Sequence, residues 1–152
     1  MSNLKKDEES SSLFALTRRH YPYEDSFTRI TRKGVYPYEY MDCRDKFQEN
    51  SLPSIDKFFS KLYSKTISEE EYGRAQDVWN HFGIQTMRDY HDLYLKTDTL
   101  LLADVFENFR QVAISNYGLD PCHYFTSPGL SMSACLRCTD VKLELLTNID
   151  QL

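Results

Sequence analysis

The sequence predicts a mainly α fold with one or two short strands in its N-terminal third. Three features carry this: a helical apolar period from Thr86 to Val112, a capping box at Ser68-Glu-Glu-Glu71, and a β-branched and aromatic stretch from Phe27 to Tyr40. In the first, Met87, Tyr90, Tyr94, Leu101, Val105, Phe109 and Val112 recur at spacings of three, four or their sum, as one face of a helix does. Thr86, with Asp89 three residues on, opens that helix. Asp98 falls on the same face, four residues after Tyr94, where an apolar residue is expected. A carboxylate there is either a plain polar break or a group that is neutralised, hydrogen-bonded or bound to a cation.

The elements follow in order. Residues 1–9 are polar and read as a disordered tail. Ser10, Ser11 and Ser12 can cap a short helix whose apolar residues are Leu13, Phe14 and Leu16. The run FTRITRKGVYPYEY (27–40), interrupted by Gly34 and Pro37, predicts a short strand leading into an extended segment. Ser51 and Pro53 open a helix with Ile55, Phe58, Phe59 and Leu62 as its stripe. The capping box at Ser68 starts another, with Tyr72, Ala75, Trp79 and Phe82 on one face and Gly83 closing it. A loop from Tyr117-Gly118 runs through Pro121, and Ser127-Pro128 begins the last short helix.

At 152 residues the chain can hold one domain with a real core, placed at 10–152. A net charge of −5 argues weakly against a standalone nucleic-acid binder. Between Arg18 and Lys33, however, Arg18, Arg19, Arg29, Arg32 and Lys33 face only Glu24 and Asp25, with Tyr21, Tyr23 and Phe27 interleaved. Such a tract either tracks a single strand through phosphate contacts and base stacking or is a solvated charged face with partly buried tyrosines. The N-terminus has no apolar core, and the longest aliphatic run, Leu100–Ala103, is far too short to span a bilayer. The expectation is a soluble intracellular protein, the nucleus included, with no membrane partner. Cys43, Cys122, Cys135 and Cys138 read as reduced thiols. Cys135 and Cys138 have zinc-ligand spacing, but no second pair completes four ligands, so helix packing is the expected role.

Five longer words, in order, carry a family resemblance: KGVYPYEYMD (33–42), SEEEYGRAQDVWNHFG (68–83), YHDLYLKTDTLLLADVFENFR (90–110), NYGLDPCHYFTSPGLS (116–131) and ELLTNID (144–150). From about Ser10 onward the chain resembles the proofreading half of a type 2 protein-primed family B DNA polymerase, as carried by large self-synthesising (Maverick or Polinton) transposons and related viruses. The resemblance implies DNA replication, a 3′–5′ exonuclease region of ribonuclease-H-like α/β fold, and, as partners, a single-stranded primer terminus and a terminal protein. Tyr94-Leu-Lys-Thr-Asp98 matches the third exonuclease motif, Tyr-x-x-x-Asp, in which the Asp binds metal and the Tyr positions the attacking water. Lys33, in Lys33-Gly-Val-Tyr36, matches the Lys-x-x-hydrophobic motif whose lysine lines the exonuclease site, where an ammonium can neutralise a scissile phosphate. Ser12 and Leu13, in Ser12-Leu-Phe-Ala-Leu16, match the motif that contacts the single-stranded end. An exposed turn lysine and a helix cap are the plainer roles for Lys33 and Ser12.

Departures from the family pattern set the expectation for activity. An intact exonuclease uses several carboxylates to hold two Mg²⁺ or Mn²⁺ ions. The first motif, a strand-borne Asp-x-Glu, is matched only by Asp7-Glu-Glu9 in the polar tail, and the second motif and the polymerase motifs are absent. The chain therefore reads as a partial exonuclease region with most of its sheet missing, vestigial Lys33, Tyr94 and Asp98, no bound metal and no activity alone. Uncovered helix faces then favour self-association. The alternative is a helical protein-interaction module without catalysis, using Trp79 or Tyr90 as exposed aromatics.

Overall fold

The computed structural model describes residues 13–143, so the proposed roles of Asp7, Glu8, Glu9 and Ser12, and the word 144–150, lie outside the described residues. Five α-helices are described: α1 (Ala15–His20), α2 (Glu24–Ile30), α3 (Glu69–His81), α4 (Met87–Tyr117) and α5 (Ser127–Thr139). Short 3-10 turns occur at Arg44–Gln48, Ile55–Phe58 and Pro121–His123. The chain forms two compact units, divided after Val105, and α4 supplies residues to both.

No strand or sheet occurs among the described residues, which corrects the expectation of short strands and of a partial ribonuclease-H-like α/β domain. Ser60 and Lys65 make an isolated antiparallel bridge and nothing longer. The stretch predicted as a strand begins inside α2. There Glu24 and Asp25 sit in the first turn and Arg29 in the last, and Phe27 and Ile30, one turn apart, are buried. Arg29 donates to Asp77 of α3 at 2.8 Å, and Ser26 Oγ shares a hydrogen bond with His81 Nε2 at 2.8 Å. The helical period of 27 and 30, with a partner in α3, outweighs the β-propensity of the same residues.

Beyond α2 the chain runs as loop and turns without a strand partner, and tyrosine hydroxyls take over part of the hydrogen bonding a sheet would supply. Tyr90 OH donates to the Val35 carbonyl at 2.5 Å and Tyr72 OH to the Pro53 carbonyl at 3.1 Å. The Met87 N–H, in the first turn of α4, donates to the Glu49 carbonyl at 2.8 Å. The predicted helix over Ile55–Leu62 is also corrected. Only the 3-10 turn Ile55–Phe58 forms, Phe58 is buried, and the chain then turns back so that Phe59 and Leu62 are exposed. Ser60 N donates to Lys65 O at 2.9 Å, and Ser64 adopts a positive φ of 51°.

The local signals of the two main helices form as read. Ser68 Oγ accepts from Glu71 N at 3.2 Å while the Glu71 carboxylate accepts from Ser68 N at 2.9 Å. Asp89 Oδ2 accepts from Thr86 N at 3.0 Å and Thr86 Oγ1 at 2.8 Å. Gly83, with φ of 60°, follows α3 in the left-handed conformation that glycine enters without a Cβ penalty. Ala75, Ile84, Met87 and Tyr90 form the buried core of the first unit, with Val35, Tyr36, Val78, Trp79, Phe82 and Leu93 packed against it. Tyr90 and Trp79 are therefore not the exposed aromatics expected of an interaction module.

In the second unit, the Arg110 guanidinium grips Asp120 through Nε–Oδ1 at 3.0 Å and Nη2–Oδ2 at 2.8 Å. Asp120 Oδ1 also accepts from Cys122 N at 3.0 Å, capping the turn Pro121–His123. Ala113, Pro121, Leu130 and Ala134 are buried there, whereas Phe106, Phe109 and Val112 on α4 are exposed. Cys122, Cys135 and Cys138 are exposed free thiols, as Cys43 is in the first unit, so helix packing does not explain them.

Candidate functional site

A groove of about 530 Å³ in the first unit is lined by the residues after α2, by α3 and by the first half of α4. Lys33 and, some sixty residues later on α4, Tyr94 and Asp98 all line it. Its apolar lining includes Ile30, Val35, Phe58, Ile67, Val78 and Leu93, and Tyr38 and Tyr63, which also line it, are exposed. A predominantly apolar cleft of this size with a few polar groups has the character of a ligand site.

Gly34 and Tyr94 both line the groove. A Cβ built on Gly34 would lie 2.5 Å from Tyr94 Cε2, so glycine is what allows the ring to lie against this segment. Tyr94 OH and Tyr38 OH share a hydrogen bond at 2.7 Å, and their rings meet edge to face at 6.0 Å. Burial first, then the Tyr38 hydroxyl, then the Asp98 carboxylate push the Tyr94 phenol pKa well above its ordinary value. At neutral pH Tyr94 is a neutral hydroxyl that can donate or accept a hydrogen bond and cannot serve as a base.

Asp98 is exposed, which corrects its placement among apolar neighbours. The buried carboxylate of α4 is instead Asp104, only 4% exposed. It accepts from Leu16 N at 2.9 Å, Thr17 N at 2.8 Å and Thr17 Oγ1 at 2.7 Å, and so satisfies the free N–H groups at the start of α1. No local motif links residues 16 and 104, so sequence spacing could not reveal this pairing.

Four basic side chains, Arg29, Arg32, Lys33 and Arg74, line the groove against three acidic ones, Glu71, Asp77 and Asp98. Arg29 is engaged by Asp25 and Asp77, and Arg74 by Glu70 and Glu71. Arg32 and Lys33 are exposed and in no salt bridge among the described residues, although the Lys33 charge helps lower the Glu71 pKa, behind the larger effect of the Ser68 N–H. Thr97 Oγ1 and Arg74 Nε, on two groove-lining residues, are buried without a hydrogen-bond partner among the described residues. Each such atom lowers stability.

The carboxylates do not fit the two Mg²⁺ or Mn²⁺ ions of an intact exonuclease. Asp77 is tied to Arg29 and Glu71 to Ser68 and Arg74, and no group of three or more His, Cys, Asp or Glu among the described residues could hold a metal ion. Of the tract Arg18–Lys33, Tyr21 and Phe27 are buried, the Arg18 guanidinium lies 3.6 Å from the Phe27 ring centroid, and Tyr23, Arg32 and Lys33 remain exposed. Leu13 is exposed and has an interaction partner of its own. Among the described residues, no helix is long and apolar enough to cross a membrane. No known protein family, curated protein or solved structure matches the chain.

Proposed function

We propose that the chain is part of a protein-primed family B DNA polymerase, from its proofreading region, and that alone it holds single-stranded DNA without polymerising or degrading it. The observation that supports this reading is the convergence on one groove of Lys33, from one motif, with Tyr94 and Asp98, from another. The reading makes no use of a ribonuclease-H-like sheet. In it, Lys33 and Arg32 meet the phosphates, Tyr94 offers a neutral hydroxyl, and Asp98 is a single carboxylate with no metal-holding set around it.

The test is fluorescence anisotropy with a labelled single-stranded oligonucleotide, alongside gel assays for degradation and nucleotide incorporation with Mg²⁺ or Mn²⁺. Expected are salt-sensitive binding, an intact oligonucleotide and no incorporation. Lys33→Gln should weaken binding uniformly across sequences and reduce the salt slope by about 1. Absence of binding at low salt would overturn the reading, and degradation abolished by Asp98→Ala would overturn its inactive part. A second reading, a helical protein-interaction module without catalysis, is favoured by the exposed Phe106, Phe109 and Val112 of α4. In the resembled family a terminal protein would be such a partner.

A further inference from the structure

We propose that Tyr38 and Tyr63 are base-stacking platforms at the edge of the groove, each taking a nucleobase of a single DNA strand whose phosphates lie along Arg32 and Lys33. This rests on the reading above and names the groups that would hold the bases. Tyr38 is 65% exposed and Tyr63 is 68% exposed, and both rings line the groove. Large aromatic rings left this open offer faces that every base can stack on.

Tyr38 is exposed but not loose. Its hydroxyl is tied to Tyr94, and its ring sits edge-on to Tyr36 at 5.0 Å and to Tyr94 at 6.0 Å. A ring already fixed by its edge and its hydroxyl loses little rotamer freedom when a base arrives. Tyr63 stands on the turn closed by the Ser60–Lys65 bridge, so its backbone is likewise constrained. Tyr38, in the turn that follows the loop bearing Arg32 and Lys33, lies within six residues of both, so cations without a salt bridge and an open ring line the groove from the same short stretch of chain. Free cations beside open aromatic rings suit a strand with phosphates along one side and bases along the other.

The experiment uses the full chain, a labelled oligothymidylate and an abasic oligonucleotide of the same length, both followed by anisotropy at several salt concentrations. The expected result is tighter binding of the oligothymidylate, with Tyr38→Leu and Tyr63→Leu each weakening it about tenfold or more while leaving the abasic strand unaffected. Tyr38→Phe, which keeps the ring and removes the hydroxyl, should retain most of the preference, and Phe125→Leu, at an exposed ring of the second unit that does not line the groove, should change nothing. Denaturant midpoints report whether each variant is folded, and Tyr63→Leu, on an exposed turn, tests the idea even if Tyr38→Leu unfolds. Equal binding of both strands, or a base preference indifferent to the tyrosine variants, overturns this inference while leaving DNA binding in place. Binding of neither strand overturns the proposed function and this inference together.

Discussion

Asp98 and Asp104 lie on the same helix and carry the same charge, yet their surroundings assign them opposite roles. Asp104 accepts two backbone N–H groups and a buried hydroxyl from α1, whereas Asp98 is exposed beside Tyr94. Replacing Asp104 by Asn removes the charge from those hydrogen bonds and turns an amide donor toward groups that are already donors. Asp104→Asn should therefore destabilise the chain by about 2–3 kcal/mol, in the range lost when a buried donor is left unmatched. Asp98→Asn should move stability by less than about 0.5 kcal/mol, as exposed substitutions usually do. Denaturant midpoints at pH 7 check both, and equal shifts would show that the buried and exposed roles are not distinct.

At the scale of elements, the second unit depends on a charged clasp between α4 and the turn that follows it. The Arg110 guanidinium first, then the Cys122 N–H, hold the Asp120 carboxyl well below the usual carboxylate range. A carboxyl with a lower pKa folded than unfolded makes the folded state bind fewer protons between the two values. Its stabilisation is thus complete above the unfolded pKa of about 3.9 and is lost as pH falls through the folded value. Urea midpoints of the native chain should fall below about pH 4 more steeply than those of Asp120→Asn, which should be less stable at pH 7. Parallel pH profiles for the two proteins would rule out the clasp as a source of acid sensitivity. In the first unit the Tyr90 and Tyr72 hydroxyls that hold the Val35 and Pro53 carbonyls are neutral ties, so those two do not respond to acid in this way.

For the molecule as a whole, the apolar face predicted for α4 is covered at Met87 and Tyr90, half-covered at Tyr94 and Leu101, and exposed at Val105, Phe109 and Val112. Phe106 adds a ring 6.3 Å from that of Phe109. A run of large apolar side chains on one helix is the kind of surface that associates in water. The average mass by light scattering should therefore rise with protein concentration, and Phe106→Glu combined with Phe109→Glu should return it to that of a monomer. A native chain that stays monomeric across the accessible concentration range would remove self-association as the fate of this face.

The features whose physics is local are legible in the sequence. The capping pairs Ser68–Glu71 and Thr86–Asp89, the stop at Gly83, the turn at Gly118 and the start of α5 each close hydrogen bonds or set φ within a few residues. The face of α3 and the first half of α4 were legible for the same reason, since a 3.6-residue period needs no partner to be seen. Tertiary structure alone decided whether 27–30 became strand or helix, because the burial of Phe27 and Ile30 and the anchoring of Arg29 and Ser26 depend on what α3 presents to them. It also decided which carboxylate of α4 is buried: one face is periodic in sequence, but its cover comes from α1 and from the segment around Gly34. The groove belongs to the same class of fact. Lys33 and the Tyr94–Asp98 pair can be named from two separate motifs, but their convergence, with the exposed Tyr38 and Tyr63 lining the same groove, follows from long-range packing that no local spacing encodes.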